Sequence, residues 1–278
     1  MLRPVTCILA ALLTVTSAHA LNFELGINGG YGFGVGGQDY LADWFEAGSY
    51  TYQDTGMGGY LTEFDQDYAT LGGGGKVGLT AALMMAETWG IIADIGMSFG
   101  GGVKAEWIEN NQDGTEESET LDMSATYMTL GIGLKLKADS KVAPYAYVAP
   151  ALLIPFAVTG EVVEESTGDP TFTDEIEASV GAGFGFVSGL GVAIGFTDMI
   201  GLNIECSPSY LFARVNEVIY RSDQGDGTYY TYTERYEGDV TSLPDDESGP
   251  DSETDYYYGR PSVSFASVSA KLALTFTF

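Results

Sequence analysis

The chain has 278 residues, of which 39 are acidic and 11 basic, a formal net charge of −28. So large an acid excess, with no basic patch, excludes nucleic-acid binding through phosphates. A single histidine (His19) and two cysteines (Cys7 and Cys206) leave little material for metal or disulfide chemistry.

Residues 1–20 read as a signal peptide. Arg3 supplies the positive start, residues 5–15 a short apolar run, and Ala18-His19-Ala20 a small-x-small cleavage pattern, which places the mature start at Leu21. Cys7 lies inside the apolar run, away from the cleavage point, which argues against lipidation. Removal of this segment takes away Arg3, His19 and Cys7. The mature chain, 21–278, then carries a net charge of −29, no histidine and the single Cys206, so it forms no internal disulfide.

Period-2 alternation, the mark of a two-faced strand, then recurs eight times. The first segment sets Phe23, Leu25, Ile27, Tyr31 and Phe33 against Glu24, Gly26, Asn28, Gly30 and Gly32. The second sets Leu71, Val77, Leu79, Ala81 and Leu83 against glycines and Lys76, and the third sets Ile91, Ala93, Ile95, Met97 and Phe99 against Asp94, Gly96 and Ser98. Met128 to Leu136 form the fourth apolar row, opposite Gly131, Gly133 and Lys135. The fifth segment, about 143–158, is more uniformly apolar and interrupted by Pro144, Pro150 and Pro155. In the sixth, Ala178, Val180, Phe184, Phe186, Leu190 and Phe196 share one parity. The seventh carries Leu202, Ile204, Cys206 and Tyr210 opposite Glu205, and the eighth Val268 to Phe278 opposite Lys271. Segments of ten residues or more, with glycine-rich small faces, suit a barrel wall with a narrow lumen better than a soluble sandwich. The expected fold is all-β: an eight-stranded antiparallel up-and-down transmembrane β-barrel.

Short connections at 86–90, 138–142 and 197–201 alternate with long ones at about 36–68, 104–122, 159–176 and 214–260. That order belongs to a barrel with both termini in the periplasm and its long loops at the cell surface. The long loops hold 32 of the 39 acidic residues, so the charge is expected on the outer rim. In the last of them, 218–221 and 228–233 flank a Gln-Gly-Asp-Gly turn and read as a hairpin. If that hairpin entered the membrane the barrel would have ten strands, but its alternation is polar on both faces.

The chain ends in Leu272-Ala-Leu274-Thr-Phe276-Thr-Phe278, and with the period-2 rows and the signal peptide it resembles the small outer-membrane β-barrel family, the OmpA/OmpX-like eight-stranded proteins. The resemblance spans the mature chain. It implies outer-membrane lipid as surroundings and a C-terminal signal, Leu274, Phe276 and Phe278, read by the barrel-assembly machinery. It carries no peptidoglycan-binding domain, so cell-wall tethering does not follow. Enzymes among small outer-membrane barrels use a histidine as base or in a catalytic pair; a mature chain without histidine is expected to be non-enzymatic. No cofactor is expected.

Inside the barrel, Glu24, Asp94 and Glu205 balance Lys76, Lys135 and Lys271 on the lumen face, with Lys137 set aside beside a turn. Buried charges need partners, so an ion-pair network plugging the lumen is expected, eight strands leaving room only for side chains. A narrow, porin-like channel for small solutes or ions is the alternative. Tyr220, Tyr229, Tyr230, Tyr232 and Tyr236 offer contact area for an extracellular protein or glycan, or else belong to an aromatic girdle. Glu109, Asn111 and Asp113 partly match a calcium loop, but position twelve is Thr120, so weak binding of a divalent cation is the most they suggest. The dinucleotide-like Gly32 to Gly37 run lacks a βαβ unit around it.

Overall fold

The computed structural model describes residues 22–35, 48–53, 60–66, 70–111, 115–167, 171–223, 229–235 and 262–278. The expected signal peptide lies outside them.

Among the described residues thirteen strands form in chain order: β1 (Asn22–Gly34), β2 (Gly48–Gln53), β3 (Tyr60–Gln66), β4 (Gly74–Met84), β5 (Trp89–Asn110), β6 (Glu116–Lys137), β7 (Val142–Ser166), β8 (Phe172–Val180), β9 (Gly183–Gly195), β10 (Ile200–Asp223), β11 (Tyr229–Arg235), β12 (Ser262–Ser264) and β13 (Ser267–Thr277). β1, β4, β5, β6, β7, β9, β10 and β13 pair antiparallel around one closed ring of eight, with β8 and β12 continuing β9 and β13 along the same lines. The last strand closes it: Leu274 lies opposite both Ile27 of β1 and Leu202 of β10. Phe278 and Phe23 exchange two backbone hydrogen bonds at the seam, 2.9 and 3.2 Å. The ten-stranded alternative does not hold, because among the described residues β11 pairs only with the far end of β10, beyond the closed ring.

The prolines of β7 sit where its ladder toward β6 lapses. Pro144 precedes the last β6 pairing, Pro150 falls in the gap between the Gly131–Ala151 and Leu134–Val148 pairs, and Pro155 marks a register shift. A residue without an N–H is tolerated at such points. Pro208 sits in the equivalent gap between β9 and β10, where Ser207 Oγ donates to the Ser188 carbonyl (2.8 Å) and Ser188 Oγ to the Pro208 carbonyl (3.0 Å).

β5, β6, β7 and β10 run for 22 to 25 residues, about twice what a bilayer crossing needs. They continue past the closed ring as a wall. The segments 104–122 and 159–176, expected as loops, are therefore mostly paired strand, and the expected hairpin is present as 217–223 paired with 229–235, its turn lying outside the described residues. β2 joins this wall beside β5, in parallel, and β3 pairs with β2. Residues 36–47 and 236–261 of the expected loops lie outside the described residues.

Where ring becomes wall, the alternation slips. β5 bulges at Gly100, whose φ of 75° suits a glycine. β7 shifts between Pro155 and Ala157, β8 and β9 are separated at 181–182, and β10 shifts between Val215 and Glu217. Each slip exchanges the inward and outward faces. The expectation of one parity across 178–196 thus fails: Ala178 is buried inward while Phe184 faces out, 65 % exposed.

The ring presents apolar residues outward and polar ones inward. Ile132, Leu134, Leu136, Phe186 and Leu190 are exposed, while Glu24, Asp94, Lys135, Ser207 and Ser269 are buried. A water-soluble domain has the opposite arrangement.

Candidate functional site

The lumen has two layers. Toward the short turns it is charged. The Glu24 carboxylate accepts from Lys135 Nζ and Lys137 Nζ, one oxygen each, both at 2.5 Å. Lys137, set aside as a turn residue, thus belongs to the constellation. Lys271 approaches Glu205 at 3.6 Å, its cross-strand neighbour. Lys76 and Asp94, both expected in the network, make no direct ion pair. Lys76 Nζ donates to Ser267 Oγ (2.6 Å), and no described ammonium lies within 4.0 Å of Asp94. Both line a cavity of about 30 Å³, together with Asn28, Ser98 and Lys271, with room for one water.

Two tyrosines complete the layer. Tyr145 Oη and Tyr147 Oη donate to the two oxygens of Glu205, 2.8 and 3.0 Å, and Lys135 Nζ lies 5.1 Å from the Tyr145 ring centroid. Both rings cross β9 to reach β10. They can do so because Gly191 and Gly189 lie beneath them: a Cβ on Gly191 would stand 2.8 Å from Tyr145 Cζ, and one on Gly189 2.7 Å from Tyr147 Cζ. The sequence reading missed both tyrosines because the prolines obscured the parity of β7; the odd-numbered face of 143–153 was the available signal.

Above this layer the lumen is apolar. Leu71, Tyr127, Leu153, Leu211, Val215 and Phe265 are buried to 1 % exposure or less and belong to one continuous cluster. Tyr127 and Phe265 stack edge-to-face, centroids 5.0 Å apart, and Tyr127 Oη donates to the Gly72 carbonyl at 3.1 Å. Leu71, expected on the outward face, is instead part of this plug.

The remaining candidates are dispersed. Tyr220, expected as a surface contact, packs inward against the apolar cluster, because the β10 shift puts it on the lumen face. Tyr229, Tyr230 and Tyr232 lie on β11; Tyr236 lies outside the described residues. In the calcium-like stretch Asn111 Nδ2 donates to Thr115 Oγ1 and Glu117 Oε1, closing the hairpin, and Asp113 lies outside the described residues. Among the described residues no group of three or more His, Cys, Asp or Glu side chains could hold a metal ion. Leu274 and Phe278 point outward on the closing strand.

No protein-family model matches the chain, and no curated protein does. Among solved structures it is similar to the outer membrane protein OprG from Pseudomonas aeruginosa, at 8 % identity over 95 % of this chain and 98 % of that one, TM-score 0.41. It is also similar to Ail, the attachment invasion locus protein of Yersinia pestis, solved with the heparin analogue sucrose octasulfate (9 % identity, 94 % of this chain, 100 % of that one, TM-score 0.33) and alone (9 %, 93 % and 97 %, TM-score 0.30). These structures are outer-membrane β-barrel proteins.

Proposed function

We propose that this protein is a non-enzymatic integral outer-membrane barrel with a closed lumen, of structural or surface-interaction type. The observation that carries the reading is the filled interior: a charged, hydrogen-bonded layer lies beneath an apolar one, and both consist of buried side chains. Water and ions find no path through packed apolar side chains, and the charged layer holds its own counter-charges. The outward apolar belt supports contact with lipid, and the alternation of short turns with a long strand wall supports termini in the periplasm and the wall at the cell surface. We assign to that wall any contact with an extracellular protein or glycan, and biogenesis to the barrel-assembly machinery acting on Leu274, Phe276 and Phe278.

Purified protein inserted into planar bilayers is expected to give no stepwise currents. Recurrent single-channel steps would overturn the closed lumen and favour the narrow channel. The lipid contact has its own test. Ile132 is the central residue of the apolar outward row from Met128 to Leu136 on β6 and is 68 % exposed. Ile132→Arg is expected to lower stability in phospholipid vesicles by about 2–4 kcal/mol, the cost of a charge near the bilayer midplane. Urea titration of the refolded variant measures it; an unchanged midpoint would place Ile132 away from lipid.

A further inference from the structure

Two basic side chains of the wall, Lys104 and Arg221, have ion-pair partners among the described residues, and both lie on its outer surface. Lys104 meets Asp122 at 2.6 Å and Arg221 meets Glu177 at 3.4 Å. Arg214, the other basic residue described in the wall parts of β5 to β8 and β10, is also outward. The inward parity holds carboxylates instead. It runs through Leu121 and Met123 on β6, Val162 on β7 and Ile176 on β8, all buried, and so reaches Glu119 and Glu117, Glu164, and Asp174.

We propose that this part of the wall, where β6, β7 and β8 rise above the ring, is a pH-responsive collar that loosens at neutral pH and tightens in acid. Glu119 stands directly opposite Glu164, and Asp174 is diagonal to Glu164 on the next strand. Like charges directly opposite on one face of a sheet destabilise the pairing. The groups that face Glu119 offer no relief. From β5 come Trp107, directly opposite, and Glu109, one row up; from β7 Glu164 and Val162; from β8 Asp174 and Phe172; and along β6 itself Glu117 and Leu121. Of these carboxylates only Glu117 receives a side-chain donor among the described residues, Asn111 Nδ2 at 3.2 Å. Half-burial first, and then the Glu164 and Asp174 carboxylates, hold the Glu119 carboxyl above the usual carboxylate range.

A carboxyl raised in the folded wall binds its proton more tightly there than in the opened strands. The cost is therefore fully present above the raised folded value, and it is relieved as pH falls through that value toward the unfolded one. The collar responds in the acid range and leaves the ring below unaffected, since the ring shares none of these groups.

Hydrogen exchange on the full chain in micelles tests this, with rates corrected for intrinsic chemical exchange. Amides of 116–121 and 161–166 are expected to gain about two- to fivefold protection between pH 7.5 and pH 5. Amides of 128–136 in the ring serve as the reference and are expected to hold constant. Glu119→Gln is expected to raise protection at pH 7.5 and to flatten the pH dependence; Glu164→Gln does the same from the facing strand should the first variant refold poorly. Protection that does not change with pH, or a dependence that persists in both variants, overturns the proposal.

Discussion

Glu24→Ala is expected to lower the stability of the refolded barrel by about 3–5 kcal/mol, because it removes one side of a buried ion pair and leaves the other in place. Lys135 is the residue stranded. Its side chain is 6 % exposed, and Glu24 is the one carboxylate within 4.0 Å of it among the described residues. Lys137, at 25 % exposure beside the turn, can turn its ammonium toward water and suffers less. The loss is thus chiefly the desolvation of one lysine. That origin can be separated from simple loss of packing. The double variant Glu24→Met with Lys135→Met removes both charges and keeps the volume, and it is expected to recover most of the loss. Urea titration in vesicles, followed by tryptophan fluorescence, measures all three proteins. A Glu24→Ala midpoint equal to that of the parent would mean that the charged layer contributes nothing to stability.

Phe265→Ala is expected to cost about 3–5 kcal/mol as well, by a different route. Phe265 is fully buried, between the ends of β12 and β13, where the wall replaces the ring. Its backbone N–H donates to the Leu211 carbonyl at 2.8 Å, which holds the ring over the lumen against Tyr127. Truncation leaves a cavity that stiff paired strands cannot close, and it removes the edge-to-face partner of Tyr127. The variant is nevertheless expected to stay non-conducting in planar bilayers, because the layer of Glu24, Lys135, Glu205 and the two tyrosines remains intact beneath. Conductance in Phe265→Ala without loss of stability would show the apolar layer to be a gate held in front of an open lower lumen.

Much of this fold can be read from local pattern. Phe23, Ile27, Val77, Leu79, Ile91, Ile95, Ile132 and Leu134 alternate with small or polar residues, and a strand with lipid on one side and a narrow lumen on the other requires that alternation. The members of the charged layer were legible for the same reason: Glu24, Lys135, Glu205 and Lys271 interrupt otherwise small faces. Their partners were not. Glu24 reaches β6 from β1, more than a hundred residues away, and its second partner, Lys137, looked like a turn residue. Tyr145 and Tyr147 reach Glu205 only because two glycines on the intervening strand let rings lie across it, a relation between three strands that no single segment records.

The apolar plug was the largest omission, and its cause is specific. Local breaks in alternation are present in the sequence at Gly100-Gly101-Gly102, Pro155-Phe156-Ala157 and Gly181-Ala182-Gly183. Read one at a time, each is an irregularity in a strand. In the ring they fall where the closed barrel gives way to the wall, and they exchange inside for outside, so that Val158 and Ala178 turn inward with Leu153 and Leu211; on β10 the shift between Val215 and Glu217 does the same for Val218.

The sequence by itself determined the strand class, the number of ring strands, the outward apolar belt and the acid-rich character of the segments beyond the short turns, because each depends on residues a few positions apart. Only the tertiary structure decided which residues fill the lumen and that the long connections are wall rather than loop. Those outcomes depend on register, and register is a property of neighbouring strands: one slipped residue turns every following side chain to the other face.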